Sequence, residues 1–326
     1  MFEVVVNLDE CNGRSCHMKI AVLGANGAVG ARIVDKLRGR GHEVVRVGRN
    51  PDSNDVVVDL VRSGGEAYRE AVDGMDVVVN ASGIEDPALA KDAGAARFVD
   101  ISATPRYLET IMAAPAAGGV LTCVGLAPGL STIMATALAA DSTDGVDIGL
   151  MLGAGEPHGR GSVEWTVGLL GTTFTDYASG VRIRNLARSR VLEGPHGSRK
   201  RYVRTNFPDH LAIDVDGPHV ANYLTLSSGP ATLALRFAAL VPSLGRPMLR
   251  KVHPRGSDEW SVLVRNRNTG RWLYTSGHNQ SEATATITVA AIEAAQGRID
   301  PVLLSCDVLD TNALHAHWGI MIRAGR

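Results

Sequence analysis

The sequence predicts an α/β fold, with an open, doubly wound parallel sheet followed by a second α/β domain built on a mixed sheet. Three observations carry that expectation. Residues 18–102 alternate short β-branched runs with helical segments, and the first run leads into a glycine-rich turn at residues 24–30. From about residue 146 the alternation gives way to short β-like stretches divided by glycine turns. A chain of 326 residues also suits two domains better than one.

The opening element is "KIAVLG", a short apolar strand, followed by Gly24-x-x-Gly27-x-x-Gly30 and by "ARIVDKLRGRG", where Ile33, Val34 and Leu37 share one helical face. Strand, glycine turn and helix in this order make a Rossmann-type pyrophosphate loop. Glycine lets the chain turn sharply and approach a phosphate without an intervening Cβ, and the free amides at the helix start meet the anion. The second strand, "HEVVRVGRN", ends in Gly48-Arg49-Asn50 rather than in the acidic residue that would receive the ribose hydroxyls of NAD. A guanidinium there suits the 2′-phosphate of NADP, so NADP(H) is the expected cofactor.

"DVVVDL" (55–60) reads as a third buried strand, placing Asp59 and Leu60 near the adenine. "YREAVDG" reads as a helix and "MDVVVNASG" (75–83) as a fourth strand that delivers Asn80, Ala81, Ser82 and Gly83 to the middle of the cofactor. A small-residue helix and a fifth strand then end at Asp100-Ile101-Ser102. Ligands of open parallel sheets lie outside the carboxyl ends of the strands, so these ends are expected to line one crevice.

At "TCVGLAPGLSTIMATALA" (122–139) a more particular pattern appears. With the glycine loop, "VVNASG", "FVDISA" and the late segments "SEATATITVAAIEAAQG" and "DPVLLSCDVLD", the chain resembles the saccharopine dehydrogenase-like (saccharopine reductase) family of NAD(P)-binding oxidoreductases. The resemblance implies a pyrophosphate loop of Gly24, Ala25, Asn26, Gly27, Ala28, Val29 and Gly30, and a 2′-phosphate partner at Arg49 with Asn50 beside it. It also implies a cofactor-facing turn at Ala81, Ser82 and Gly83, with Ser102 at the next strand end, and a passage to the substrate domain near the nicotinamide at Pro128 and Gly129. The domains expected are an N-terminal extension (1–17), a Rossmann NADP-binding domain (18–130), a substrate and dimerisation domain (131–280), and a C-terminal helix and tail returning to the first domain (281–326). An additional edge strand from "FEVVV" is the alternative for the extension.

In the second half, "VDIGLMLGAG", "SVEWTVGLLG", "GVRIRNLARSRVLE" and "KRYVRTNFP" read as β-like stretches, "ATLALRFAALV" (231–241) as a helix, and "EWSVLVRNRNTGRWLYTSG" as a hairpin across Asn268-Thr269-Gly270. Eight basic residues between 182 and 204 (Arg182, Arg184, Arg188, Arg190, Arg199, Lys200, Arg201, Arg204) face only Glu193, either as a solvated face or as a cationic rim for a carboxylate or phosphate. For proton transfer the candidates are His278, His158 and Tyr274, with Glu164 and Tyr177 behind them. His278 leads, because it precedes the Ser281–Ala295 helix. No Tyr-x-x-x-Lys pair follows the fourth strand, and His315 and His317 look incidental.

Basic and acidic residues number 33 and 34, so no overall field favours nucleic acid. No apolar run reaches the roughly 20 residues of a membrane span. The four cysteines form no CxxC pair, and Cys11, Cys16 and His17 lack a second ligand pair, so no metal is expected. A cytoplasmic homodimer acting on a small molecule is the expectation. The expected reaction is NADPH-dependent reduction of an imine in an amino-acid-derived or carboxylate-bearing substrate. An enoyl reductase of a lipid or polyketide pathway and a non-catalytic NADP(H) sensor are the alternatives.

Overall fold

A computed structural model describes residues 17–61, 64–139, 145–155, 160–176, 179–213, 219–251 and 256–326. The readings placed on the 2–6 strand, Cys11, Cys16, His158 and Tyr177 lie outside the described residues. Two seven-stranded sheets organise the rest.

The first half runs β1 (Lys19–Leu23), α1 (Gly30–Gly39), β2 (Glu43–Gly48), β3 (Val56–Val57), α2 (Gly64–Val72), β4 (Val77–Asn80), α3 (Pro87–Lys91), β5 (Arg97–Asp100), α4 (Pro105–Ala113), β6 (Val120–Thr122) and α5 (Leu130–Ala139). The second runs β7 (Val146–Leu152), α6 (Arg160–Leu169), β8 (Thr173–Thr175), β9 (Arg182–Arg184), β10 (Ser189–Glu193), β11 (Arg199–Arg204), β12 (Val220–Leu226), α7 (Gly229–Leu240), α8 (Pro242–Lys251), β13 (Glu259–Asn266) and β14 (Trp272–His278). The chain closes with α9 (Gln280–Ala294), β15 (Val302–Leu304), α10 (Ser305–Val308), α11 (Thr311–Trp318) and β16 (Arg323–Gly325).

The first sheet is wholly parallel in the order β15-β6-β5-β4-β1-β2-β3, the doubly wound arrangement. Its central strands are buried on both faces, which is why "KIAVL" and "VVVN" are continuous apolar runs rather than alternating ones. The third strand is a correction to the sequence reading: only Val56 and Val57 pair, and Val57 is 55% exposed. As the last strand of the sheet it has neighbours on one side only, so its apolar run marks an edge.

The second sheet is mixed, in the order β10-β11-β12-β7-β13-β14-β16; β12 and β7 run parallel and the other pairs antiparallel. One face joins the main core through Val203, Leu224, Ile148, Leu150, Val262 and Val264, and the other carries the small cluster Leu192, Tyr202 and Leu263. The segment "SVEWTVGLLG" is a second correction, because residues 160–169 form helix α6 rather than a strand. Its apolar residues alternate, yet Val167 and Leu170 are buried and Trp165 stacks on Phe207 at 5.0 Å, so tertiary packing overrides the local pattern.

Helices α5 and α9 join the two sheets. α9 is buried on most of its circumference, through Ala285, Ile287, Thr288, Val289, Ala290, Ala291 and Ile292, as a helix enclosed on several sides must be. It lies along α1: Arg32 and Lys36 reach Glu282 at 3.5 and 2.5 Å, and Arg40 reaches Glu293. The starts of α1 and α9 are therefore side by side. From α9 the chain adds β15 to the first sheet and β16 to the second.

Candidate functional site

The glycine turn after β1 is close-packed against the carboxyl end of β4. Gly24 has φ +75°, and a Cβ there would lie 2.6 Å from the Ala81 carbonyl oxygen and 2.7 Å from the Ser82 nitrogen. At Gly30 a Cβ would lie 2.2 Å from the Gly24 oxygen, so helix and turn touch through backbone. Ala25 is buried beneath, Ala28 and Val29 are half-buried, and Asn26 and Gly27 face solvent. Val29 gives no side-chain cap to α1, and no acidic residue occupies its first turn, so the helix start keeps donors and positive potential for an anion.

At the end of β2, Arg49 and Asn50 are exposed. Arg46 and Arg38 are both engaged by Asp55, at 2.8 and 3.6 Å, and the Arg46 hydrogen bonds pull the Asp55 carboxyl down to about 2. No ion pair of Arg49 occurs among the described residues, while Asp55 is taken by its neighbours Arg46 and Arg38. Asp59 and Leu60 follow β3 half-buried. Asn54, which the sequence reading missed, joins the two turns: its Oδ1 accepts from Asn26 Nδ2 at 3.0 Å, and its own Nδ2 donates to the Asn50 carbonyl at 2.8 Å. Nothing in the local pattern marks it, because the contact is made between loops.

The ends of β4 and β5 are tied by a buried polar network. Asp100, fully buried, accepts from Asn80 Nδ2 (2.8 Å) and the Tyr107 hydroxyl (2.8 Å) on one oxygen and from the Ser102 amide (2.7 Å) on the other. Burial pushes its carboxyl up, and the hydrogen bonds oppose that rise. Asn80 Oδ1 accepts from the Ser82 amide (3.2 Å) and hydroxyl (2.6 Å), and Ser82 Oγ accepts from the Ile84 amide (3.1 Å). The turn at Ala81, Ser82 and Gly83 is thus held from below, with Gly83 open to solvent at φ +74°. Glu85, a second residue the sequence reading missed, sits on the same turn. Desolvation raises its carboxyl although the side chain still reaches solvent, and a hydrogen bond with Thr104 opposes the rise.

The turn that includes Pro128 and Gly129 is committed to the fold. Both residues are buried; the Pro128 carbonyl accepts from the Gly125 amide (2.8 Å), and Gly129 donates to Thr132 Oγ1 (3.0 Å) and accepts from Ser305 Oγ (3.3 Å). Only Ala127 remains partly open, so Pro128 and Gly129 shape this wall rather than offer groups to a ligand. Thr284 and Thr288 of α9 bond the Leu126 amide (3.4 Å) and the Val124 carbonyl (3.0 Å), bringing the start of α9 to the carboxyl end of β6. Buried Asp209 holds the start of α5 through Ser131 (2.5 Å) and Thr132 (2.8 Å).

The structure separates the catalytic candidates. His278 ends β14, one residue before the N-cap of α9 and hence on the side of the crevice, while its ring remains 66% exposed. Its Nδ1 lies 2.9 Å from Asp258 Oδ1, and that hydrogen bond raises its pKa above the ordinary 6.5. The predicted hairpin contained the signal for this partner: Glu259 pairs with His278 in its register, and Asp258 is the next residue. Tyr274 is a correction. It faces Leu192, Tyr202 and Leu263 on the side of the second sheet opposite Leu273 and the main core, away from the strand ends that carry Ser82 and Ser102. The cationic rim also shrinks, since Arg204 is buried and bonded to Asp176 at 2.7 Å and Arg190 pairs with Asp147 at 2.6 Å.

Residues 24–119 match the NAD(P)H-binding family. Saccharopine dehydrogenase (L-Glu forming) from Saccharomyces cerevisiae superposes with a TM-score of 0.60 at 11% identity, covering 95% of this chain and all of that one (100%). Two looser likenesses carry no argument: the WlbA dehydrogenase of Thermus thermophilus in complex with NAD and UDP-GlcNAcA (TM-score 0.41, 12% identity, 91% and 94% covered) and the 3-alpha-hydroxysteroid dehydrogenase of Pseudomonas sp. B-0831 complexed with NADH (0.23, 21%, 27% and 48%). Comparison with curated protein sequences finds no significant match. The chain is therefore a protein with an NAD(P)H-binding domain that shares the fold of saccharopine dehydrogenase over nearly its whole length.

Proposed function

We propose that this protein is an NADPH-dependent oxidoreductase that reduces the imine of a small, amino-acid-derived or carboxylate-bearing substrate. The substrate would lie between a nucleotide domain (18–130) and a substrate domain (131–280), which the C-terminal segment (281–326) links. The observation that carries the reading is the glycine turn, where Gly24 and Gly30 leave no space for a Cβ and the start of α1 is uncapped. That turn fits a pyrophosphate. Gly24 to Gly30 would hold it, Arg49 with Asn50 would take the 2′-phosphate, and Ala81 to Gly83 with Ser102 would flank the nicotinamide end. Asp59 and Leu60 would border the adenine.

When bound, reduced nicotinamide supplies the hydride. The chain supplies position and a proton. The Asn80–Asp100–Tyr107 network keeps the turn after β4 from moving, which preserves the alignment on which transfer depends. His278, held by Asp258, retains a proton on its ring above the pH at which a free imidazole loses it, as a donor to a reduced C=N nitrogen requires. Glu85 is a second proton source on the β4 side.

The reading is tested by fluorescence titration with NADPH and NADH, on the protein and on Arg49→Ala, followed by NADPH oxidation with panels of amine and carbonyl pairs. NADPH is expected to bind more tightly, by about tenfold or more, and Arg49→Ala to remove most of that preference. Binding of neither nucleotide would sink the reading, and binding without turnover on a broad panel would favour a sensor.

A further inference from the structure

Helix α7 has an apolar face on both sides. Its buried side presents Leu235, Ala238 and Ala239 to the core. Its outward side presents Pro230, Leu233, Ala234, Phe237 and Leu240, with no polar residue among them. Leu233, Phe237 and Leu240 follow the three- and four-residue spacing of a single helical stripe, at 63%, 56% and 48% exposure. Leu244 of α8, also 63% exposed, lies next to Gly245, where a Cβ would come within 2.6 Å of Ala238; α8 is therefore set tightly against α7 near the end of that stripe. The other exposed large hydrophobics, such as Val57, Val181, Ile299 and Met321, belong to separate elements. A helix apolar all round is ordinarily covered, and a contiguous exposed apolar stripe marks a contact surface.

The surrounding charge indicates the kind of cover. Residues 229–251 contain Arg236, Arg246, Arg250 and Lys251 and no acidic residue, and of these Arg250 is already paired with Glu164 of α6 at 2.7 Å. Leu233 shares a cavity of about 350 Å³ with Arg201 and Arg236, and no carboxylate of the described residues lines it, whereas the Lys200 ammonium lies on the opposite face of the sheet against Met151 Sδ (2.9 Å). Arg236 Nε donates to the Ala187 carbonyl (3.1 Å) and Arg184 to the Leu240 carbonyl (3.3 Å), which fastens the basic β9–β10 segment beside the stripe. The whole chain has a net charge of −1, so this is a local concentration of cations. A second copy seated on the stripe would bring like charges together.

We propose that α7 and the start of α8 form a peripheral docking surface for an anionic lipid bilayer. The Leu233–Phe237–Leu240–Leu244 stripe enters the acyl boundary, and Arg201 and Arg236 meet headgroup phosphates. At 12 residues α7 is too short to span a bilayer, and it lies along the surface. The surface is separate from the nucleotide crevice and does not depend on the reaction assigned to it.

The test is co-sedimentation of the full chain with phosphatidylcholine vesicles, with and without phosphatidylglycerol, at low and high salt. The protein should partition onto the anionic vesicles on the order of tenfold more strongly than onto neutral ones, and high salt should release it. Leu233→Ser with Phe237→Ser should abolish that partition, and Arg201→Glu should lower it about threefold or more, each leaving circular dichroism and melting temperature unchanged. No partition onto either vesicle, or equal partition onto both, overturns the proposal. It is equally overturned if the Leu233→Ser/Phe237→Ser pair converts a dimer to a monomer in sedimentation velocity while vesicles leave the protein in the supernatant, because a second copy then covers the stripe.

Discussion

The two sheets handle polar groups in opposite ways. In the first, strands run parallel between buried faces and their polar residues gather at one end, where Asn80, Ser82, Asp100 and Ser102 bond one another. In the second, polar and charged residues are spread along the strands, with Asp147 held by Arg190 and Arg267 and Arg204 held by Asp176. A parallel sheet concentrates chemistry at the carboxyl ends because every strand delivers its loop to the same side. A mixed sheet sends loops to both ends, so its candidate residues are dispersed: Tyr274 lies on one face and His278 at an end.

The comparison breaks most sharply at Gly24. Gly24→Val should lower nucleotide affinity by about a hundredfold or more, because a side chain would collide with the turn after β4 in a backbone conformation valine disfavours. Titration with NADPH checks this, and retained affinity would show that the turn is not the pyrophosphate cradle. Asp100→Ala comes next, leaving Asn80, Tyr107 and the Ser102 amide without their acceptor. It should cost about 2–4 kcal/mol in urea unfolding, and a loss well under 1 kcal/mol would mean the network is not holding the strand ends.

The smallest effect sharpens the second domain. With His278 as donor, activity should persist below its raised pKa and fall as pH climbs through it, since the protonated ring is the active form. Asp258→Asn removes the interaction that raises it, so the fall should move to lower pH, toward about 6.5, with little change below that range. An unmoved profile would exclude the pair and turn attention to Glu85.

Much of the first domain was legible in residue order. Strand, glycine turn and helix are local patterns, and their succession already implies parallel pairing and a shared crevice. Asn54 and Glu85 were not legible, because each acts through a partner on another loop, Asn26 for the one and Thr104 for the other. Asp258 was nearly so, one step beyond the register of a hairpin the sequence predicts.

By itself the sequence determined the doubly wound sheet, the glycine turn and the position of Arg49 at the end of β2, since backbone sterics and apolar periodicity act over a few neighbouring residues. Only the tertiary structure decided that residues 160–169 are helical, that Val56 and Val57 lie at an edge, and that Pro128 and Gly129 are buried. It alone showed that α7 keeps an apolar face outward. Each of these depends on what packs against a segment from elsewhere in the chain, and burial is a property of the assembled molecule.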